Sequence, residues 1–135
     1  MGYAIDKIEG IGPSYAKKLA AAKITNTDHF LTLCCDKKGR KQVSEQTGIS
    51  DKLILNWANK ADLMRINGVG GQFSELLEAA GVDTVKELRN RRADNLAAKM
   101  AEVNAVKKLC KTSPSEGVVQ KWIDQAKTMN PVITH

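Results

Sequence analysis

Cysteine, histidine and aromatic residues are scarce in this sequence, and it has no long apolar run. Three cysteines, two histidines and two each of Phe, Trp and Tyr are spread over 135 residues. Cys34, Cys35 and Cys110 are odd in number, show no Cys-x-x-Cys spacing and include an adjacent pair that could bridge only with strain. A disulfide framework is therefore not expected, and the cysteines read as small apolar residues of a protein kept in a reducing cytoplasm. Adding His29 to Cys34 and Cys35 gives three ligands with two adjacent, a poor set for zinc, so no metal and no cofactor is expected. No segment approaches the roughly 20 apolar residues of a membrane span, and MGYAIDKIEG lacks a basic stretch followed by an apolar one, so neither membrane insertion nor secretion is expected. With so few aromatics the core has to come from Leu, Ile, Val, Ala and Met, a mix that favours helices. The β-branched residues never alternate with polar ones as a half-buried strand requires, so the expected fold class is all-α.

Catalytic constellations are missing too. No Ser/His/Asp or Cys/His arrangement has a familiar spacing, no carboxylate pair stands apart from charged helix faces, and no phosphate loop ends in Gly-Lys-Ser/Thr. A binding protein rather than an enzyme is expected. Twenty-one Lys and Arg face fifteen Asp and Glu for a net charge of +6, with 42% hydrophobic and 27% charged residues, the composition of a folded basic protein.

What the sequence does have is an internal repeat. Ile8-Glu9-Gly10-Ile11-Gly12 returns as Ile66-Asn67-Gly68-Val69-Gly70. In the same register Tyr15 matches Phe73, Leu19 Leu77, Ala22 Ala80, Ile24 Val82 and Phe30 Leu88. Further on, the segment around Trp57 matches that around Trp122 in a longer register, so the second copy carries about seven extra residues, expected near Lys111-Thr112-Ser113. The expected organisation is a first unit over 1–61, a second over 62–130 and a C-terminal tail over 131–135, with four or five short helices per unit. Ser113-Pro114-Ser115-Glu116 predicts a helix capped at Ser113, Thr84-Val85-Lys86-Glu87 predicts another start, Gly48 and Gly81 predict left-handed C-caps, and Asn130-Pro131 predicts the end of the last helix. Trp57 and Trp122, recurring at equivalent helical positions, read as core residues rather than as stacking platforms for bases.

The turn Glu9-Gly10-Ile11-Gly12-Pro13 joins an expected short helix over Tyr3–Ile8 to one over Ser14–Ala22. Its glycines permit conformations closed to residues with a Cβ, Ile11 can turn inward, and Ala16 is small enough for the helices to cross closely. The amides of such a turn, with those of the next helix's first turn, suit an anion, above all a phosphate.

On these residues the sequence resembles the helix-hairpin-helix motif: Ile8-x-Gly10-Ile11-Gly12-x-x-x-Ala16-x-x-Leu19 in the first copy, and Ile66-x-Gly68-Val69-Gly70-x-x-x-Ser74-x-x-Leu77 in the second. Tandem units of this kind resemble the small DNA-binding domains of recombinases, of DNA ligases and of the C-terminal part of the bacterial RNA polymerase α chain. The whole chain is similar to a stand-alone bacterial family of tandem helix-hairpin-helix proteins of unassigned function. The resemblance implies a compact multi-helix domain of SAM-like, helix-hairpin-helix architecture. It also implies sequence-independent binding of double-stranded DNA through backbone amides, with the two hairpins meeting both strands across a minor groove. Helix-hairpin-helix glycosylases carry a larger second domain and a catalytic Asp, for which this chain has no room.

The copies differ in charge. Over 4–24, Lys7, Lys17, Lys18 and Lys23 stand against Asp6 and Glu9; over 62–82, Arg65 stands alone against Asp62, Glu75 and Glu78. The first hairpin is the expected main contact, through Gly10, Ile11, Gly12 and Ser14 with Lys17 and Lys18 beside them and Lys7 and Lys23 flanking. The second, at Gly68, Gly70 and Gly71, has a looser Gly-Gly turn where the first has Gly-Pro, and is expected to be a weaker contact or a structural copy. Lys37, Lys38, Arg40 and Lys41 are expected to widen the footprint, as is the run Arg89–Arg92, adding counterion release without base selectivity. Double-stranded DNA is thus the expected partner, with nucleoid organisation or a repair accessory role as settings. A protein partner or self-association, suggested by the acidic second hairpin, and structured RNA are the alternatives.

Overall fold

The computed structural model describes residues 2–135, and among them every regular element is helical. A 3-10 turn, Ile5–Lys7, precedes α1 (Pro13–Ala21), α2 (Thr27–Cys34), α3 (Lys37–Thr47), α4 (Asp51–Leu63), α5 (Gly71–Ala79), α6 (Val85–Leu88), α7 (Ala93–Lys107) and α8 (Glu116–Lys127). The nearest approach to a sheet among the described residues is one isolated antiparallel bridge between Ala4 and Asn26. No helix among them is long and apolar enough to cross a membrane.

Two compact units emerge: Met1–Asp62 with Val132–His135, and Leu63–Pro131. Of the C-terminal tail expected over 131–135, Val132–His135 belong to the first unit. The Thr134 amide donates to the Cys35 carbonyl at 2.8 Å, and Val132 is half-buried.

In the first unit α2 and α1 pack on α3, and Leu19, Ile24, Phe30, Ile54 and Trp57 are almost wholly removed from solvent. In the second, α8 and α5 pack on α7 and α6 packs on α8, closing a core that includes Leu76, Leu77, Leu88, Met100 and Trp122. Leaving such side chains in water would forgo about 1.5–3 kcal/mol each, which is what holds helices this short in place.

Each unit repeats one backbone hydrogen-bond scheme in the register of the sequence repeat. The Ile11 amide donates to the Ile8 carbonyl at 3.1 Å, as Val69 does to Ile66 at 3.1 Å. Ala16 donates to Gly12 as Ser74 does to Gly70, both at 2.9 Å, and Ile24 donates to Leu19 as Val82 does to Leu77, again at 2.9 Å. Asn26 and Thr84 cap α2 and α6 in the same register, accepting from the amides of His29 and Glu87. The shared apolar positions thus correspond to shared geometry.

The extra length of the second unit is also accounted for. Gly48 and Lys108 close α3 and α7 in matching left-handed conformations. From Gly48 the chain enters α4 at Asp51, whereas from Lys108 it reaches α8 only at Glu116, so the loop before α8 holds five of the extra residues and the segment before Lys108 the other two. Buried Asn104 ties that loop down: its side-chain amide donates to the Cys110 carbonyl at 3.0 Å and to Ser113 Oγ at 3.3 Å, and its carbonyl accepts from the Cys110 amide at 2.8 Å.

Three element boundaries depart from expectation. The helix after this loop is capped by Ser115, not Ser113: Ser115 Oγ accepts from the Val118 amide at 3.2 Å, and Pro114 is buried ahead of the cap. Two serines compete, and the one followed by an unbroken amphipathic face wins. The same helix stops at Lys127, short of Asn130-Pro131. The expected helix over Tyr3–Ile8 shrinks to the 3-10 turn, with the amide of Ile5 donating to the Thr25 carbonyl and that of Tyr3 to Thr27 Oγ1.

Candidate nucleic-acid interface

The two glycine turns have one backbone conformation. Gly10 and Gly68 are left-handed, φ 98° and 89°, while Gly12 and Gly70 are extended at φ −87° and −96°. The Gly70-Gly71 turn therefore follows the same path as its Gly12-Pro13 counterpart. Ile11 and Val69, between the glycines, are buried and anchor each turn to its core.

Behind each turn stands a tryptophan. A Cβ at Gly10 would lie 3.2 Å from Trp57 Nε1, and one at Gly68 would lie 3.4 Å from Trp122 Nε1. Trp57 in turn meets Tyr15 edge-on, ring centroids 5.0 Å apart, and Trp122 meets Phe73 at 5.3 Å. The repeated aromatic pairs of the sequence are thus contacts, and both indoles are too buried to stack on bases. The last helix of each unit also grips its turn. Lys60 Nζ donates to the Glu9 carbonyl at 3.2 Å, and Gln125 Oε1 accepts from the Asn67 amide at 3.0 Å.

The turns feed helices that begin on glycine. Asn26, Asp36, Thr84 and Ser115 cap α2, α3, α6 and α8 with side-chain oxygens, whereas α1 and α5, like α7 at Arg92, have no side-chain cap. At the start of α1 the amides of Ser14 and Tyr15 thus face the positive end of the helix dipole without a side-chain acceptor. Gly10, Gly12, Ser14, Lys17 and Lys18 are all exposed there. Lys18 Nζ sits 5.8 Å from the Tyr15 ring centroid, a cation–π contact that keeps its charge near the turn. Lys7 and Lys23 are exposed as well.

At the second turn Gly68 is exposed, but Gly70, Gly71, Glu75 and Glu78 are half-covered, and Ser74 is buried with its hydroxyl donating to the Gly71 carbonyl at 2.8 Å. The first turn thus has exposed lysines beside it, and the second has half-covered glutamates, with Glu78 Oε2 buried.

The outlying basic residues divide. Lys37, Lys38 and Lys41 are exposed on α3. Arg40, expected beside them, is 4% exposed, and its Nη1 donates to the Cys34 carbonyl at 3.1 Å, closing the C-terminal end of α2. The spacing accounts for this: Arg40 and Val43 share the inward face of α3, which the flanking lysines obscure in a reading by charge alone. In the run Arg89–Arg92, Arg91 binds Glu87 at 3.0 Å and the Gly81 carbonyl at 2.9 Å, and Arg92 pairs with Asp94 at 2.9 Å, so these charges serve local structure. Hydrogen bonds from Asn95 and Arg92 hold the Asp94 carboxyl below its usual range.

Cys34 is fully buried, and burial pushes its thiol up to about 12 despite the nearby Arg40 charge. Among the described residues no group of three His, Cys, Asp or Glu side chains is placed to hold a metal ion.

The profile of a family described as a domain of unknown function, DUF4332, matches residues 9–129. The chain belongs to that family. The match spans both glycine turns and all eight helices, so the DUF4332 domain comprises both repeats rather than either alone. No curated protein and no solved structure matches the chain.

Proposed function

We propose that this DUF4332 protein is a tandem helix-hairpin-helix module that binds double-stranded DNA without sequence preference, with the first glycine turn as its main contact. One observation carries the reading: the exposed, uncapped turn Gly10–Gly12, with Ser14 at its edge, stands beside Lys17 and Lys18. The amides of Ser14 and Tyr15 hold a backbone phosphate, and Lys17 and Lys18 supply charge, with Lys7, Lys23 and Lys38 extending the patch. The second turn, with Glu75 and Glu78 in the helix that follows it, supports the fold more than the affinity. Its role is binding, not catalysis, and a nucleoid or repair-accessory setting in the cytoplasm suits it.

The acidic second turn favours a second reading, docking of a protein partner with both hairpins architectural. Titration of a fluorescent duplex of about 25 base pairs at several salt concentrations separates the two. Duplex binding should weaken linearly on logarithmic axes, with a slope of about −0.9 per neutralised phosphate. Lys17→Glu/Lys18→Glu should remove it while the far-ultraviolet spectrum stays native. Absence of binding at low salt, or indifference to the charge reversal, would transfer the function to the protein partner.

A further inference from the structure

A cleft of about 610 Å³ opens on the first unit between α3 and α4, and four of its seven lining residues are cations. Lys37, Arg40 and Lys41 line it from α3, where the spacing i, i+3, i+4 puts them on one face, and Lys52 joins them from α4. Asp51 is the single carboxylate side chain in the lining. Among the described residues no carboxylate lies within 4.0 Å of any of these four cations.

Two features of this arrangement are costly unless an anion is present. Lys37 and Lys38 occupy the first turn of α3, the positive end of the helix dipole, where cations are disfavoured; the first turn holds no acidic residue, and Asp36 precedes it as the cap. Arg40 is buried with only a backbone carbonyl as its hydrogen-bond partner, and a buried charge without a counter-charge opposes folding. An anion seated in the cleft relieves both. Leu55 supplies an apolar wall, extended by the lysine methylenes, and the Thr134–Cys35 hydrogen bonds bring the following residue, His135, to the lining. The volume falls within the roughly 300–1,000 Å³ of small-molecule sites, and a concave cleft suits a compact ligand better than a rod-like duplex.

We propose that this cleft binds a nucleoside phosphate, with the phosphates on Lys37, Lys41 and Lys52 and the nucleoside against Leu55. This role for Lys37 and Lys41 is separate from duplex binding at the glycine turn, and either can fail without the other.

The test is titration of the intact, isotopically labelled chain with ADP at low salt, followed by amide chemical shifts and repeated with pyrophosphate. Saturable ADP shifts should cluster over residues 37–55, and pyrophosphate should bind at least about fivefold more weakly for want of the apolar contact. Lys37→Gln/Lys41→Gln, both exposed and expected to fold normally, should weaken ADP about tenfold or more. Lys17→Gln/Lys18→Gln should weaken the duplex and leave ADP affinity unchanged. Four results would overturn the proposal: no saturable ADP shifts, shifts centred on Gly10–Lys18, ADP affinity unchanged by Lys37→Gln/Lys41→Gln, or pyrophosphate binding as tightly as ADP.

Discussion

Lys23 and Gly81 hold equivalent places in the two repeats and take the same left-handed backbone, φ 66° and 97°, one residue after the C-caps of α1 and α5. Their amides donate to the carbonyls of Ala20 and Glu78 in the same scheme. The first unit therefore carries a strained lysine where the second has the residue that suits the turn. Lys23→Gly should raise the unfolding free energy by about 0.5–1 kcal/mol, read by urea denaturation. Gly81→Ala should lower it by about 1 kcal/mol or more, since φ is unfavourable and the new Cβ would sit 3.3 Å from Arg91 Nη2.

The two glycines of the first turn should separate fold from binding. Gly10→Ala meets both a left-handed φ and Trp57 Nε1, and should cost about 1–3 kcal/mol with a change in tryptophan emission. A Cβ at Gly12 has no heavy atom within 4 Å, so Gly12→Ala should leave stability within about 0.5 kcal/mol of the parent. If a phosphate sits on this turn, that same methyl should weaken duplex binding.

Arg40→Ala should behave as a core variant rather than a surface one. It leaves the Cys34 carbonyl without its guanidinium partner and opens space under α3, which should cost about 1–3 kcal/mol by denaturant unfolding. Lys38→Ala, two residues away and exposed, should change stability by no more than about 0.5 kcal/mol.

Asn104→Ala should loosen one loop before it loosens the fold. Three hydrogen bonds to Cys110 and Ser113 disappear together, so limited proteolysis should gain a cleavage site within 108–114, with a stability loss of about 1–3 kcal/mol.

Cys34 should make the protein sensitive to alkali. Its thiol keeps its proton up to about 12 when folded, against 9.0 for an unperturbed thiol, so the unfolded chain ionises first as pH rises. Stability from this group is complete below pH 9.0 and is lost progressively towards about 12. Cys34→Ala should flatten that decline in a pH series of unfolding curves. At neutral pH, a thiol reagent should modify the half-buried Cys35 and Cys110 well before Cys34.

Much of this architecture is legible in the sequence because the repeat substitutes for an alignment. Where two copies agree, as at Tyr15 and Phe73 or Trp57 and Trp122, the shared residues prove to be the packed ones. Where a feature occurs once, local rules fail. Arg40 lies among lysines and reads as surface, although its helical phase with Val43 carries the opposite signal. Ser113 and Ser115 both satisfy a capping pattern, and only packing of the following face selects between them. The cleft beside α3 is least legible, since it depends on residues from 37 to 135 meeting in one place.

The hydrogen bonds from the final helix of each unit to its glycine turn span 51 residues in one case and 58 in the other. Closing a loop of that length is an entropic cost met late, after the local helices have formed. The turn is consequently a product of cooperative completion rather than a stable local motif. An excised peptide covering 3–24 would be a poor mimic of the intact surface, and a nascent chain would acquire that surface only after Lys60 had left the ribosome.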